Sequence, residues 1–348
     1  MLYLNAAGTS WPKPPEVATA AHGAEAASPR AWGELFAEAH ASVAGRLGVA
    51  DWLPTPSCTQ ALAVAVADVP WAAGDRVLTS SMEHHALWRP LIKQGVRVEE
   101  LPRGADGMLD LGALAEALEA GGVKLVAMSM ASNVTGEGLP WADVVELAHD
   151  HGALCLLDGA QVAGWVPLDL AALEVDLFAF AGHKGPQGPS GIGGLYVRPG
   201  LLLDTPGASC DGALCRTGPG YCDTGSVSLA GLAGLAAGWA AMEAASPLGA
   251  ALDRAVALRR WLASQEGVTV HGGAPRVPTV SFTATRSPQE LADGLAERGI
   301  VGRAGTQCAP RAHRALGTGE AGTMRLSFGP WGADDDVETV TRALAEVL

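Results

Sequence analysis

The sequence predicts an α/β protein, with a large, mostly parallel-sheet domain over residues 12–245 and a smaller α+β domain over 246–348 that residues 1–11 join. Three observations carry that expectation. Short apolar, β-branched runs alternate with helix-period segments between residues 55 and 200, the pattern of βαβ units. After a Gly/Ala-rich helical stretch at 226–245 that alternation stops. The chain of 348 residues, 48% hydrophobic and 17% charged, has a globular composition and enough length for two cores.

In the first part, strands are read at 76–80, 123–130, 153–158, 175–180 and 192–197, with helices at 61–67, 111–120 and 141–150. An open sheet of this kind offers its crevice at the C-terminal ends of the strands, so polar functional residues are expected there. Beyond 245, a long helix is read at 247–264 and strands at 268–271 and 279–283. A helix at 288–298, a strand at 324–328 and a terminal helix from Ala333 follow.

Lysine and arginine total 23 against 37 acidic residues, a net charge of −14. That balance attracts neither a phosphate backbone nor an anionic membrane, so nucleic-acid and membrane-surface roles are disfavoured. The longest apolar run, 229–242, has the length of a core helix and is too short for a bilayer. The first fifteen residues lack an apolar signal region, and a cytoplasmic location is expected. Cysteines stand at 58, 155, 210, 215, 222 and 308 without a CxxC pair; Cys210, Cys215 and Cys222 match no common zinc spacing, and no metal is expected. In a reducing compartment a lone cysteine is of interest as a nucleophile.

The densest chemical signal runs from Asp176 to Tyr196, where an apolar strand ends in His183-Lys184 and enters a glycine-rich loop. Lys184 reads either as a loop-exposed lysine or as one used covalently, which needs such a half-desolvated place. Asp158, in Asp158-Gly-Ala-Gln161, taken alone reads as a turn or cap residue. With Lys184 one strand later, it fits a carboxylate that keeps a pyridine nitrogen protonated. Ser57-Cys58-Thr59-Gln60 opens a helix, as a plain cap or as a phosphate seat. Glu83-His84-His85 has no further ligand at helical spacing for a metal; a histidine stacked on a flat ring is the sharper reading.

These segments resemble the cysteine desulfurase branch of the class V aminotransferases, enzymes of the pyridoxal 5′-phosphate (PLP) fold type I, aspartate aminotransferase-like. The resemblance extends from Tyr3-Leu-Asn-Ala-Ala-Gly8 to Arg325-Leu-Ser-Phe-Gly329. It implies that Lys184 holds PLP covalently, that Asp158 pairs with the ring nitrogen and that Gln161 contacts the ring hydroxyl. His84 then stacks on the ring and moves protons, while Asn133, in Ser132-Asn-Val-Thr-Gly136, lies near ring and substrate. Thr59, His183 and the backbone around Cys58 are implied to hold the phosphate. Ser226 reaches it from a neighbouring subunit, so a homodimer is implied. Arg325 takes the substrate α-carboxylate, a task suited to a guanidinium fork. Arg303 is placed with Asn133 and Arg325 as substrate-binding, and its loop, Gly302-Arg303-Ala-Gly-Thr-Gln-Cys308, resembles the one that carries a persulfide-forming cysteine.

Three departures stand out. Ala181 occupies a position where the family has Ser or Thr, Ser226-Val-Ser replaces Thr-Pro-Asn, and the stretch 207–222 has no aligned counterpart. The resulting expectation is conversion of L-cysteine to L-alanine, with sulfur passed to Cys308 and then to an acceptor, for which a protein is a candidate. The alternatives are an aminotransferase, a C–S lyase or a selenocysteine lyase acting on a related amino acid. A non-catalytic dimer scaffold is the rival of another class, and retention of Lys184, Asp158, His84 and Arg325 counts against it.

Overall fold

The computed structural model describes residues 1–104, 107–201, 227–333 and 335–348, with the backbone of two short strands at 207–208 and 214–215. The chain opens with β1 (Leu2–Tyr3), α1 (Pro15–Ala26), α2 (Trp32–Leu47) and β2 (Leu53–Thr55). There follow α3 (Cys58–Asp68), β3 (Arg76–Ser80), α4 (His85–Lys93), β4 (Arg97–Leu101), α5 (Leu111–Glu119) and β5 (Val123–Ser129). Then come α6 (Trp141–Asp150), β6 (Leu154–Asp158), β7 (Leu177–Ala181), β8 (Gly193–Val197), β9 (Gly207–Ala208) and β10 (Leu214–Cys215). The remainder is α7 (Leu229–Ala245), α8 (Leu248–Ala263), β11 (Thr269–His271), β12 (Thr279–Thr283), α9 (Pro288–Glu297), β13 (Ile300–Val301), α10 (Pro310–Ala315), β14 (Met324–Ser327) and α11 (Asp336–Val347).

The large sheet has the order β2-β8-β7-β6-β5-β3-β4. Neighbours from β4 through β3, β5 and β6 to β7 are parallel, while β8 is antiparallel to both its neighbours, β7 and the edge strand β2. Alternation along each strand explains why the predicted strands read as continuous apolar runs, since both faces are covered. On β5, Val126 and Met128 enter one core with helices α2, α5, α6 and α7, whereas Leu125 and Ala127 enter another with α3 and α4. On β7, Phe178 and Phe180 face the first core and Leu177, Ala179 and Ala181 the second.

The sequence reading leaves out α1, α2, α4, α10, β1, β2, β4, β9, β10 and β13, and for α1, β2 and β4 the reason is local. Helix α1 buries only Val17 and Ala24, so its apolar stripe is faint. Strand β4 lies at the sheet edge and carries Arg97, Glu99 and Glu100; β2 at the other edge contains Pro54. The helix read at 61–67 begins earlier, at Cys58, because Ser57 caps it.

A second, antiparallel sheet, β11-β12-β14, packs with α8, α9 and α11 around Leu258, Phe282, Leu291, Leu326 and Leu344. The first residues of the chain are sewn to this part. Leu4 belongs to its core, β1 pairs with β13, and Asn5 bridges to Ser327. Among the described residues, no helix is long and apolar enough to cross a membrane.

Candidate active site

The C-terminal ends of β5, β6 and β7 border a cavity of about 370 Å³. It brings together Cys58, Thr59, His84, Asn133, Asp158, Gln161, His183, Lys184, Arg303, Cys308 and Arg325, residues from distant parts of the sequence. Ser226 and the cysteines at 210 and 222 lie outside the described residues, as does the side chain of Cys215.

Lys184 sits half-buried three residues after β7, on a turn whose glycines are required by close packing. A Cβ at Gly185 would stand 2.1 Å from the carbonyl oxygen of Ala163, and one at Gly182 would stand 2.7 Å from that of Ile192. Burial pushes the Lys184 ammonium below its ordinary pKa, and the charges of Asp158 and then Cys58 pull it back. Asp158 ends β6 and is buried. Burial raises its pKa, while the Ala160 N–H at 2.9 Å, Lys184 and the Cys58 thiol, 3.4 Å from Oδ1, lower it. Asp158 is thus both a turn residue, through Ala160, and a carboxylate of the cavity. The Cys58 thiol is pushed well up, by burial first and Asp158 next, so it is a poor nucleophile.

His84 caps α4, its Nδ1 accepting from the Ala86 N–H at 3.0 Å, which leaves the ring proton on Nε2. Burial, followed by the charge of Lys184, lowers its pKa to about 4, so the ring is neutral at physiological pH. His183 is likewise held at about 4, and its Nδ1 pairs with Thr9 Oγ1 at 2.9 Å. The Gln161 amide donates to the carbonyl of Ala7 at 3.0 Å. At the start of α3, Ser57 Oγ is spent on the Gln60 N–H at 3.1 Å. The amides of Cys58 and Thr59, in the first turn, have no intrahelical acceptor and suit an anion at the positive helix end.

Arg325 is 3% exposed and forms no ion pair among the described residues. Its Nη1 donates to the carbonyl of Asn133 and its Nη2 to Asn5 Oδ1, each at 2.7 Å, while its Nε has no partner. Burial, with Arg303 nearby, lowers its pKa to about 10. A buried guanidinium served only by neutral acceptors is under-compensated, and an incoming carboxylate relieves it. Arg303 is exposed and pairs through its backbone with Arg325, at 3.0 and 2.8 Å. Three cationic residues, Lys184, Arg303 and Arg325, line the cavity against one carboxylate, Asp158.

Cys308 is exposed, and its carbonyl accepts from the His85 N–H at 2.9 Å. Gln307 and Cys308 both adopt left-handed backbone conformations, with φ of 44° and 60°, at a cost of about 1–2 kcal/mol each. Two further residues bear on the site and were not foreseen. Gln307 lines the cavity, and Glu83 is buried with its carboxylate accepting from Ser80 and from the Ser129 hydroxyl and amide. The distant partners that place them, Asn133 for Gln307 at 174 positions and Ser129 for Glu83 at 46, leave no mark in local sequence.

A glycine-framed lysine, a desolvated aspartate and a helix N-terminus share one cavity rich in positive charge. This donor set fits PLP, an aldehyde bearing a pyridine nitrogen and a phosphate, and with the parallel sheet it defines a PLP-dependent enzyme of fold type I. The model of the Aminotransferase class-V family matches residues 2–340, and the chain belongs to that family. A probable cysteine desulfurase of Vibrio cholerae is 32% identical over 294 residues, 79% of this chain and 72% of that protein. A second, from Chlamydia muridarum, is 32% identical over 316 residues, 84% of this chain and 77% of that one. The crystal structure of the cysteine desulfurase CsdA of Escherichia coli superposes with a TM-score of 0.88 at 27% identity, covering 99% and 95% of the two chains. An apo cysteine desulfurase from Thermococcus onnurineus gives 0.91 at 26% identity, covering 99% and 94%.

Proposed function

We propose that the protein is a cysteine desulfurase that converts L-cysteine to L-alanine and collects the sulfur on Cys308. The observation that carries this reading is the meeting of an exposed thiol, Cys308, an under-compensated guanidinium, Arg325, and the half-buried Lys184 on one cavity. Bound PLP supplies an electron sink for negative charge at the substrate α-carbon. Lys184 holds the cofactor, Asp158 keeps a proton on its ring nitrogen, and Gln161 faces its ring hydroxyl. Thr59, His183 and the amide of Cys58 receive the phosphate.

Arg325 orients the substrate through its carboxylate, with Arg303 and Asn133 beside it. Lys184, its pKa lowered by burial, accepts the α-proton at Nζ. His84, a neutral imidazole with its proton on Nε2, lines the cavity and would cover the ring of the bound cofactor. The Cys308 thiolate bonds to the substrate sulfur as the C–S bond breaks. In sum, L-cysteine and the Cys308 thiol become L-alanine and a Cys308 persulfide, with no external oxidant or reductant. The persulfide then passes its outer sulfur to an acceptor, a second protein in our reading.

We further infer a cytoplasmic homodimer in which Ser226 serves the neighbouring subunit's phosphate, and a smaller C-terminal domain over 246–348 joined by residues 1–11. The shared core of Leu4 with α8, α9 and α11 supports that division. Incubation of the PLP-loaded protein with L-cysteine tests the activity. Alanine and a sulfane sulfur product in equal amounts are expected, whereas pyruvate with ammonia would replace this reading by a lyase.

A further inference from the structure

We propose that Gln307, locked by His313, is a positioning residue that fixes the Cys308 thiol relative to the Arg325 guanidinium. The inference rests on the desulfurase reading for its meaning, though its geometry stands apart from it. A carboxylate held at Arg325 and a nucleophile at Cys308 must keep a constant separation if the thiol is to reach the substrate sulfur. The loop that carries Cys308, between β13 and α10, adopts at both Gln307 and Cys308 a conformation that non-glycine residues rarely adopt. Something has to over-determine it.

The Gln307 side chain is 7% exposed and uses both ends of its amide. Its Nε2 donates to the carbonyls of Thr323, at 2.9 Å, and Arg303, at 3.3 Å, the backbone on either side of the pairing that carries Arg325. Its Oε1 lies 2.9 Å from Nε2 of His313, a fully buried ring whose Nδ1 lies 2.8 Å from Thr318 Oγ1. The amide oxygen accepts from His313 and, at 3.4 Å, from Thr323 Oγ1, which sets which way the amide faces and leaves its NH₂ for the two carbonyls. The backbone carbonyl of Gln307 in turn accepts from Asn133 Nδ2 at 2.8 Å, and the carbonyl of Asn133 accepts from Arg325. A closed circuit results: Arg325 to Asn133, Asn133 to Gln307, and Gln307 to Thr323, two residues from Arg325 itself. Cys308 is the next residue after Gln307, so its Cα is referenced to the guanidinium through buried bonds while its side chain stays exposed.

Three variants of the PLP-loaded enzyme test this. Gln307→Met keeps the length and bulk of the side chain without the amide, His313→Phe removes the nearer of the two donors to its oxygen, and His313→Gln restores an N–H there. The first two are expected to lower kcat for alanine formation ten-fold or more, with the KM for L-cysteine within two-fold and PLP still bound. His313→Gln is expected to recover at least half of the parent kcat. Without substrate, iodoacetamide should label Cys308 at least three-fold faster in Gln307→Met and His313→Phe, because the thiol leaves its fixed place. Unchanged labelling in both variants overturns the proposal, and so does a KM that rises as much as kcat falls. A parent that makes no alanine overturns the desulfurase reading, while labelling still decides the role of Gln307.

Discussion

Arg325 Nη1 donates to the main-chain carbonyl of Asn133 at 2.7 Å, joining the C-terminal antiparallel sheet to the loop that follows β5. The bond holds a buried guanidinium at the cavity, and its Nε has no partner among the described residues. Arg325→Ala is therefore expected to raise the KM for L-cysteine about ten-fold or more while PLP stays bound, since a hydrogen bond to a charged group contributes roughly 1.5–3 kcal/mol. Arg325→Lys should rescue only in part, because an ammonium cannot serve Asn133, Asn5 and a substrate carboxylate in one plane. Steady-state kinetics with a parallel PLP absorbance measurement check both.

Cys308 separates sulfur transfer from the steps that precede it. Cys308→Ala should bind PLP and change its absorbance on addition of L-cysteine, yet form almost no alanine. Cys308→Ser should behave in the same way, as a hydroxyl is not ionised at neutral pH and holds no persulfide. Iodoacetamide followed by peptide mass spectrometry should label Cys308 ahead of Cys58 and Cys155, whose buried thiols are pushed far up in pKa.

Ala181 lines the cavity at the end of β7, on the sheet face shared with Cys58. Ala181→Ser adds one hydroxyl there and is expected to slow PLP loss on dilution two-fold or more. Equal or faster loss, followed by gel filtration and absorbance, would show that no phosphate oxygen lacks a partner.

Glu83 gives a pH signature. Burial raises its carboxyl from 4.5 to about 7, against the pull of Ser129 and Ser80. The unfolded chain releases this proton first, so the group's contribution to stability is lost as pH rises from about 4.5 to about 7, by about 3 kcal/mol at most. His84, His183 and His313, each lowered to about 4, act oppositely and take stability away as pH falls from 6.5 towards 4. The test is therefore a difference. Relative to Glu83→Gln, the parent should gain stability in urea melts as pH drops from 7 to 4.5, and a constant difference would show an ordinary carboxyl.

Much of the fold was legible because its strands are buried on both faces. Apolar runs such as Leu154–Asp158 and Leu177–Ala181 admit few other readings, and each ends at the cavity. Edge strand β4 and helix α1 lack that redundancy: one carries charges towards solvent, the other buries two small residues. Lys184 was legible through the glycines around it, which close backbone contacts demand.

The sequence alone marked the candidate side chains: a lysine in a glycine frame, an aspartate at a strand end, a guanidinium and a loop thiol. Only the tertiary structure decided their ionisation and mutual placement. The pKa of Lys184 falls because burial outweighs Asp158, a balance that no spacing along the chain contains. The circuit through Arg325, Asn133 and Gln307 joins residues separated by 192 and 174 positions. Local sequence encodes short-range conformational preference, but desolvation and long-range hydrogen bonds exist only once distant strands have packed.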